Sequence, residues 1–174
     1  MPDALLSAPA PLPAPVRARS ARLARVLDVL LVVLAFLLLA ERFGAVAVAI
    51  GRSGFEATTL AQVGRQLALA IPDGCYLMAL AWVRIALAGF ARGAFHTPVI
   101  AAALRRVGVM LAFGAAFALF AVPTLLRWFG SDPGYVIAYD IGSAVLCALG
   151  ASLALVAQVL ERAAAVQAEL DGIF

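Results

Sequence analysis

The sequence predicts an all-α integral membrane protein, folded as a four-helix bundle with both termini in the cytoplasm. Of the 174 residues, 65% are hydrophobic, and the mean hydropathy is +1.04. Soluble domains are only about half apolar. The apolar residues fall in long blocks, and a block of about 20 apolar residues matches the hydrocarbon thickness of a bilayer. Arginines flank these blocks unequally, which gives the predicted orientation.

The first 24 residues are predicted to form a disordered cytoplasmic tail rich in proline, alanine and arginine. Alternating alanine and proline in MPDALLSAPAPLPAPVRARS disfavour a helix, because proline lacks the amide donor and clashes with the preceding turn. A PxxP-type ligand is the alternative interpretation of this tail. Residues 25–174 form the predicted transmembrane helical domain.

Four apolar blocks are interpreted as membrane spans, and the last continues as a cytoplasmic helical extension. The spans lie at about residues 26–50, 66–90, 98–126 and 136–160, and the extension reaches residue 170. Glu41 and Arg42 interrupt the first block, after which the apolar pattern resumes. This favours an uncleaved anchor over a secretory signal. Pro72 lies early in the second span and is expected to kink it.

Three short segments connect the predicted spans. Residues 51–64 are predicted to form a polar connector, and residues 127–135 a turn-rich loop, because they contain Asp-Pro-Gly. Between them, residues 93–97 are predicted to form a tight hairpin that ends where Thr97 caps a helix. Pro98 then takes the first helical position, where its missing donor is not needed.

The placement of arginines gives the orientation, because cytoplasmic segments carry an excess of basic residues. Eight arginines fall on one side of the predicted membrane and three on the other. The eight are Arg17, Arg19, Arg22, Arg25, Arg92, Arg105, Arg106 and Arg162, and the three are Arg52, Arg65 and Arg127. We therefore expect a multi-pass protein of a bacterial inner (plasma) membrane, with both termini inside.

Three short features of the sequence resemble a known family. Gly93 and Phe95 lie in the short cytoplasmic turn, the next helix carries Leu-Arg-x-x-Gly at residues 104–108, and the last span ends in Ala-Glu-Leu-Asp at residues 168–171. Over about residues 25–174 this pattern looks like an uncharacterised family of four-span bacterial inner-membrane proteins, catalogued as a domain of unknown function. The resemblance implies a four-helix membrane protein with no known activity, and a small helix-turn-helix regulator as its partner.

Four ionisable residues are predicted to form a polar layer in the outer half of the membrane: Glu41, Arg42, Asp73 and Asp140. An ionisable group in the bilayer costs several kcal/mol unless it is paired or hydrated, so each is a candidate for function. The functional interpretation is an outward-facing pocket for a cation, a proton or a small polar ligand. The structural interpretation is a clamp that joins Arg42 to Asp73 or Asp140.

Arg84 lies in the inner half of the second span, within AWVRIALAG. We expect it to pair with Asp28, which lies at a similar depth in the first span, or to snorkel to the cytoplasmic headgroups. Contact with an anion or a quinone is the alternative.

Small residues at four-residue spacing, which let membrane helices approach closely, occur at the end of the second span and on the third and fourth spans. They are Gly89 and Gly93, then Gly108, Ala112 and Ala116, and finally Gly150 with Ala154. Alanine-rich helices also produce this spacing by chance, so close packing at these positions is one of two interpretations.

The cytoplasmic face supplies a second candidate surface. Five residues are predicted to contact a protein partner or membrane lipid there: Arg92, Phe95, His96, Arg105 and Arg106. The two adjacent arginines are expected near headgroups, where anionic lipid attracts them. The basic residues flank apolar blocks and do not cluster on a soluble surface, so no direct contact with nucleic acid is expected.

The sequence offers no catalytic signature. It contains no HExxH, CxxC, GxSxG or Gly-Lys phosphate loop, and one histidine cannot build a multi-histidine metal site. We therefore expect a protein that is not an enzyme and has no cofactor. It would act as a regulator, sensor or accessory subunit through protein partners. The alternative is a small transporter or ligand-binding membrane protein with an outward-facing polar pocket.

Overall fold

The computed structural model describes residues 14–53, 57–91, 97–130, 137 and 140–171 of the chain. Within these ranges the protein is all-helical, as predicted. The elements are α1 (Ala14–Ser53), α2 (Ala57–Ala91), α3 (Thr97–Ala116), a π-helical turn (Phe117–Ala121), α4 (Val122–Trp128) and α5 (Ile141–Asp171).

Four helical segments are long and apolar enough to cross a membrane, by length and composition. They are Arg22–Val48, Leu60–Gly89, Ile100–Trp128 and Ile141–Gln167. The third combines α3, the π-helical turn and α4 into one continuous span. These segments confirm the predicted count of four and indicate a multi-pass membrane protein.

The first helix begins earlier than predicted. Residues 14–24 belong to α1, so the prediction of a disordered tail is wrong for these residues, and residues 1–13 lie outside the described part. Alanine, arginine and leucine dominate this stretch and have the highest helix propensities. Pro15 sits in the first turn, where its missing amide donor costs nothing.

The second helix also begins earlier than predicted. Since α1 ends at Ser53 and α2 begins at Ala57, the predicted connector at 51–64 is wrong except at 54–56, which lie outside the described residues. A side chain at Gly64 would overlap the Phe129 ring. This contact between helix and ring offsets the low helix propensity of glycine. The earlier start places Pro72 near the middle of α2, which continues through it.

The third helix begins at Thr97, one residue before the predicted first helical position at Pro98, while residues 93–96 of the predicted hairpin lie outside the described part. A π-helical turn, which the sequence analysis did not predict, lies just before Pro123. The proline ring clashes with the carbonyl four residues before it, and wider helical turns relieve such clashes within membrane helices. Thr124 supports the same turn, because its hydroxyl donates to the Phe120 carbonyl across 3.1 Å.

The fourth predicted span starts at Ile141 and not at Val136, because Asp140 caps the helix and fixes its first turn. The helix then runs without interruption to Asp171, one residue past the predicted end of the helical extension at residue 170.

The helices pack in chain order and form an open bundle. In the described part, α1 contacts only α2, α2 contacts α3, and α3 contacts α5 over the most extensive interface. Only 6% of the spanning segment of α1 is buried within the protein. We call the end where α1 finishes and α5 begins the loop end, and the opposite end the terminal end.

Small residues bring α3 and α5 into backbone contact. A Cβ at Gly108 would lie 2.6 Å from the Gly150 carbonyl oxygen and 2.7 Å from the Ala154 nitrogen. A Cβ at Gly150 would lie 2.5 Å from the Ala112 nitrogen. The predicted small-residue spacing at Gly108 and Gly150 therefore forms a close backbone contact between α3 and α5, because no larger side chain would fit.

We predict opposite effects for the same substitution at two helical glycines. Gly150→Ala will lower the free energy of unfolding by about 1–3 kcal/mol, because the new methyl group separates α3 from α5. Gly44→Ala has nothing within 4 Å of the added carbon and will be neutral or stabilise the helix by up to about 1 kcal/mol. Unfolding in mixed detergent micelles, followed by circular dichroism, measures both. Equal stability of the two variants would contradict the close contact.

Candidate functional site

Arg42 and Asp73 form an ion pair between α1 and α2. The Nη2 of Arg42 donates to Oδ2 of Asp73 across 3.0 Å, and the two side chains are 27% and 35% exposed. Both residues interrupt apolar runs, where an unpaired charge costs several kcal/mol. The predicted clamp is therefore present, with Asp73 and not Asp140 as the partner of Arg42.

The ion pair leaves polar atoms without partners. The Nε of Arg42 is buried and makes no hydrogen bond to any described residue, and the buried hydroxyl of Tyr76 lies near the Ser143 side chain without a hydrogen bond of good geometry. Tyr76 follows Asp73 by three positions, so both side chains lie on one face of α2. Gly114 of α3 admits the Tyr76 ring, because a Cβ there would lie 3.0 Å from Cε1. Buried donors of this kind are suited to a polar ligand or an ordered water molecule.

Two clefts open on either side of the ion pair. The first has a volume of about 590 Å³, lies between α1 and α2, and is lined by leucines and by Glu41. The second has a volume of about 430 Å³ and reaches across to Asp140 at the start of α5. Arg42, Asp73 and Tyr76 line both clefts. Both volumes fall in the range of small-molecule sites, roughly 300–1,000 Å³.

Asp140 serves as the N-terminal cap of α5. Its carboxylate accepts hydrogen bonds from the Ser143 hydroxyl at 2.6 Å, the Ser143 amide at 3.1 Å and the Gly142 amide at 3.0 Å. These bonds, the Ser143 hydroxyl first, hold the pKa of Asp140 below its ordinary value. The carboxylate therefore stays charged beside the second cleft well into acidic solution.

Glu41 lies next to Arg42 on α1 but does not share its partner. The side chain is exposed on the first cleft and makes no ion pair with any described residue. The structure thus gathers all four residues of the predicted polar layer around one ion pair. Three of them are carboxylates and one is a guanidinium, so the clefts carry net negative charge and favour a cation.

The clefts do not supply a metal site within the described residues. No three histidine, cysteine, aspartate or glutamate side chains lie close enough together there to hold a metal ion. The site instead combines carboxylates that are well separated from one another, one buried hydroxyl and an apolar wall of leucines. Such a lining suits an organic molecule with an apolar body and a charged group.

A second ion pair joins α1 to α2 nearer the terminal end. Arg84 donates from Nε to Oδ1 of Asp28 at 2.6 Å and from Nη2 to Oδ2 at 3.1 Å. This pairing was one of the sequence predictions for Arg84. Two parallel hydrogen bonds between a guanidinium and a carboxylate fix both distance and angle, so this pair sets the register of the two helices.

The adjacent arginines of α3 make contacts within the protein. The Nε of Arg105 lies 3.5 Å from Oε1 of Glu161 on α5. The guanidinium carbon of Arg106 lies over the Trp82 ring of α2, 4.4 Å from the ring centre. Both side chains remain exposed. The other predicted contact residues of this face, Arg92, Phe95 and His96, lie outside the described residues.

Sequence reasoning did not assign two contacts of the site, although each has a local signal. Ser143 follows Asp140 by three residues, the spacing at which a capping carboxylate meets the first helical turn. Trp82 lies at the same depth as Arg106, because α2 and α3 run antiparallel and the two residues are at similar distances from the turn that joins these helices. Neither the volume of the clefts nor the burial of Tyr76 has a sequence signal, because both depend on how closely neighbouring helices pack.

No family model, curated protein or solved structure matches the chain. The resemblance to a four-span bacterial family therefore stays a prediction. The function of the site is inferred from its own geometry and charge.

We predict that the cap formed by Asp140 makes stability depend on acidic pH. Since hydrogen bonds to the charged form lower its pKa in the folded state, the cap contributes stability above about pH 4, the unfolded pKa. This contribution is lost as the pH falls through the lowered folded pKa. Asp140→Asn will therefore melt below the wild type at pH 6, and the gap will narrow toward pH 3.

Thermal midpoints in detergent between pH 3 and pH 6 test this prediction. Glu169→Gln is the matched control, because it removes an exposed carboxylate near the other end of α5. Its midpoint is expected to follow the wild type throughout. A constant gap between Asp140→Asn and the wild type would show that the cap does not respond to pH in this range.

Proposed function

We propose that the protein binds a small cationic ligand at the loop end of its bundle and works as a transporter or ligand-binding membrane protein, without catalysing a reaction. The observation that carries the proposal is the pair of clefts that share the Arg42–Asp73 ion pair. The proposal includes a bacterial inner membrane, cytoplasmic termini and an outward-facing loop end. Exposed arginines near the start of α1, Arg19, Arg22 and Arg25, support this orientation.

Charge favours a cation over an anion at this site. Among the described residues, Arg42 is the one basic side chain that lines either cleft, and Asp73 already neutralises it. Glu41 and Asp140 add two carboxylates without a basic partner in the described part of the chain. In a medium of low dielectric constant these charges act over several ångströms, so a ligand with an ammonium or phosphonium group gains attraction from both clefts.

Arg42 acts in this proposal as an internal substitute for the ligand. A cation that approaches Asp73 competes with the single hydrogen bond from Nη2. When Arg42 releases Asp73, α1 loses the ion pair that joins its loop end to α2. Since α1 contacts no other helix in the described part, ligand binding is coupled to movement of one helix, as a transporter or sensor requires.

We predict saturable binding of tetraphenylphosphonium and no saturable binding of tetraphenylborate, which has the same shape and the opposite charge. Glu41→Gln and Asp140→Asn will each weaken binding about fivefold, which corresponds to about 1 kcal/mol for one charge at this distance. Asp73→Asn will weaken it further, because it removes the carboxylate common to both clefts. Equilibrium dialysis of the purified protein in detergent measures each affinity.

Glu169→Gln is the matched control here as well, since it removes one carboxylate far from both clefts and should bind tetraphenylphosphonium normally. Thermal midpoints recorded on the same samples separate loss of binding from loss of fold. If Asp73→Asn lowers stability but binds the probe like the wild type, the ion pair is only a structural clamp. If both probes bind equally, the charge of the clefts does not select the ligand.

A second function, as a regulator, sensor or accessory subunit, is favoured by the exposed flank of α1 and the terminal-end surface of α3 and α5. The expected contact residues there include Arg105 and Arg106, and the expected partner is a membrane subunit or a small helix-turn-helix regulator. The geometry gives this function less support, because Arg105 already pairs with Glu161 and Arg106 stacks on Trp82.

For this second function we predict a stoichiometric protein partner after gentle purification from the native membrane, identified by mass spectrometry. Changing Arg105 and Arg106 together to alanine will release the partner. Glu161→Gln is the control, because it breaks the same ion pair within the protein and keeps both arginines. Partner release by Glu161→Gln as well would assign the effect to the fold, and normal retention by the double variant would exclude this interface.

A further inference from the structure

Arg106 differs from Arg84 and Arg105, the other described arginines of α2 and α3 near the terminal end of the bundle. Arg84 is neutralised by Asp28 and Arg105 by Glu161. Arg106 makes no ion pair with a described residue, and its guanidinium instead lies over the Trp82 ring, 4.4 Å from its centre. Stacking fixes the direction of the guanidinium and leaves its hydrogen-bond donors at the edge.

A groove begins at this stacked pair. It has a volume of about 360 Å³, lies between α2 and α3, and is lined by Trp82, Ile85, Ala86, Gly89, Ala102, Ala103 and Arg106. Four of its lining residues are alanine or glycine, and the space exists because their side chains are so small. Among the described residues, Arg106 is its one charged lining residue, so the groove is apolar along its length and positive at one end.

The depth of the groove follows from helix length. Trp128, which is 85% exposed, marks the loop-end interface, where tryptophan is enriched. Arg106 lies on the same continuous helix, about 33 Å away at 1.5 Å per residue. This matches the hydrocarbon thickness of about 30 Å. Trp82 and Arg106 therefore lie at the opposite interface, and the groove extends from there about 10 Å along α2 toward Gly89, through the headgroup layer.

We infer that the groove between α2 and α3 is a binding site for an anionic phospholipid of the cytoplasmic leaflet. The lipid phosphate contacts the Arg106 guanidinium, the headgroup fills the space left by the alanines and Gly89, and an acyl chain descends past Trp82. Charge complementarity selects the lipid, since Arg106 lines the groove and has no carboxylate partner among the described residues. The inference depends on membrane insertion but not on the ligand proposed for the loop-end clefts.

Quenching of Trp82 fluorescence tests the site directly. Trp82 and Trp128 are the two tryptophans of the chain, so Trp128→Phe leaves Trp82 as the only reporter. The protein is reconstituted in mixtures of phosphatidylcholine and phosphatidylglycerol, with bromine on the upper acyl chain of one lipid at a time. We expect the relative affinity at Trp82 to favour phosphatidylglycerol about fivefold, the factor that one basic residue contributes near an anionic surface.

In the same background, Arg106→Gln is expected to bring this ratio to about one. Arg162→Gln is the matched control, because it removes an exposed arginine of α5 near the same end and should keep the ratio. Equal quenching by the two lipids in the unmodified background overturns the inference without any variant. A preference that survives Arg106→Gln, or that falls equally in Arg162→Gln, assigns it to general surface charge and also overturns the site.

Discussion

The pairing of α1 charges with α2 charges is the interaction on which the arrangement of the helices depends. A helix surrounded by lipid gains nothing from burying leucine against its neighbour, so polar contacts and close packing hold membrane helices together. α1 packs on α2 alone in the described part, and most of its apolar side chains are exposed. The pairs Arg42–Asp73 and Asp28–Arg84 therefore fix its position, one in each half of the span. Because both form only in one antiparallel register, they also exclude a shift by one helical turn.

The opposite side of the bundle is held together by a different means. Between α3 and α5, Gly108 and Gly150 allow backbone contact over the most extensive interface in the described part, and many weak atomic contacts replace a few charged ones. The molecule thus joins α3 to α5 by close backbone contact and α1 to α2 by two ion pairs. The clefts lie where these two kinds of attachment meet.

The sequence predicted the parts of the fold that follow from counting residues and charges. From opposite charges at similar depth, the sequence predicted an ion pair between Arg84 and Asp28 and gave Asp73 as one possible partner of Arg42. An unpaired charge is costly in an apolar span, so each charge is expected to have a partner. Helix boundaries were less predictable, since Gly64 lies inside α2, where the Phe129 ring occupies the space beside it. The π-helical turn was not predicted either, because helices relieve the clash of a proline ring with the preceding turn in more than one way. The volume of the clefts could not be predicted, because it depends on the distances between neighbouring helices.

The two ion pairs differ in a way that bears on how a ligand would use the α1–α2 seam. The loop-end pair has one hydrogen bond, from Nη2 of Arg42, whereas the terminal-end pair has two parallel bonds between Arg84 and Asp28. A cation that enters between the helices from the loop end therefore meets the weaker pair first and the doubly bonded pair second. Beyond it, at the terminal end, lies Arg106, which makes no ion pair with a described residue and whose positive charge opposes the same ligand. This order of charges favours binding and release from one side over passage along the seam, so a transport cycle would require α1 to move relative to α2.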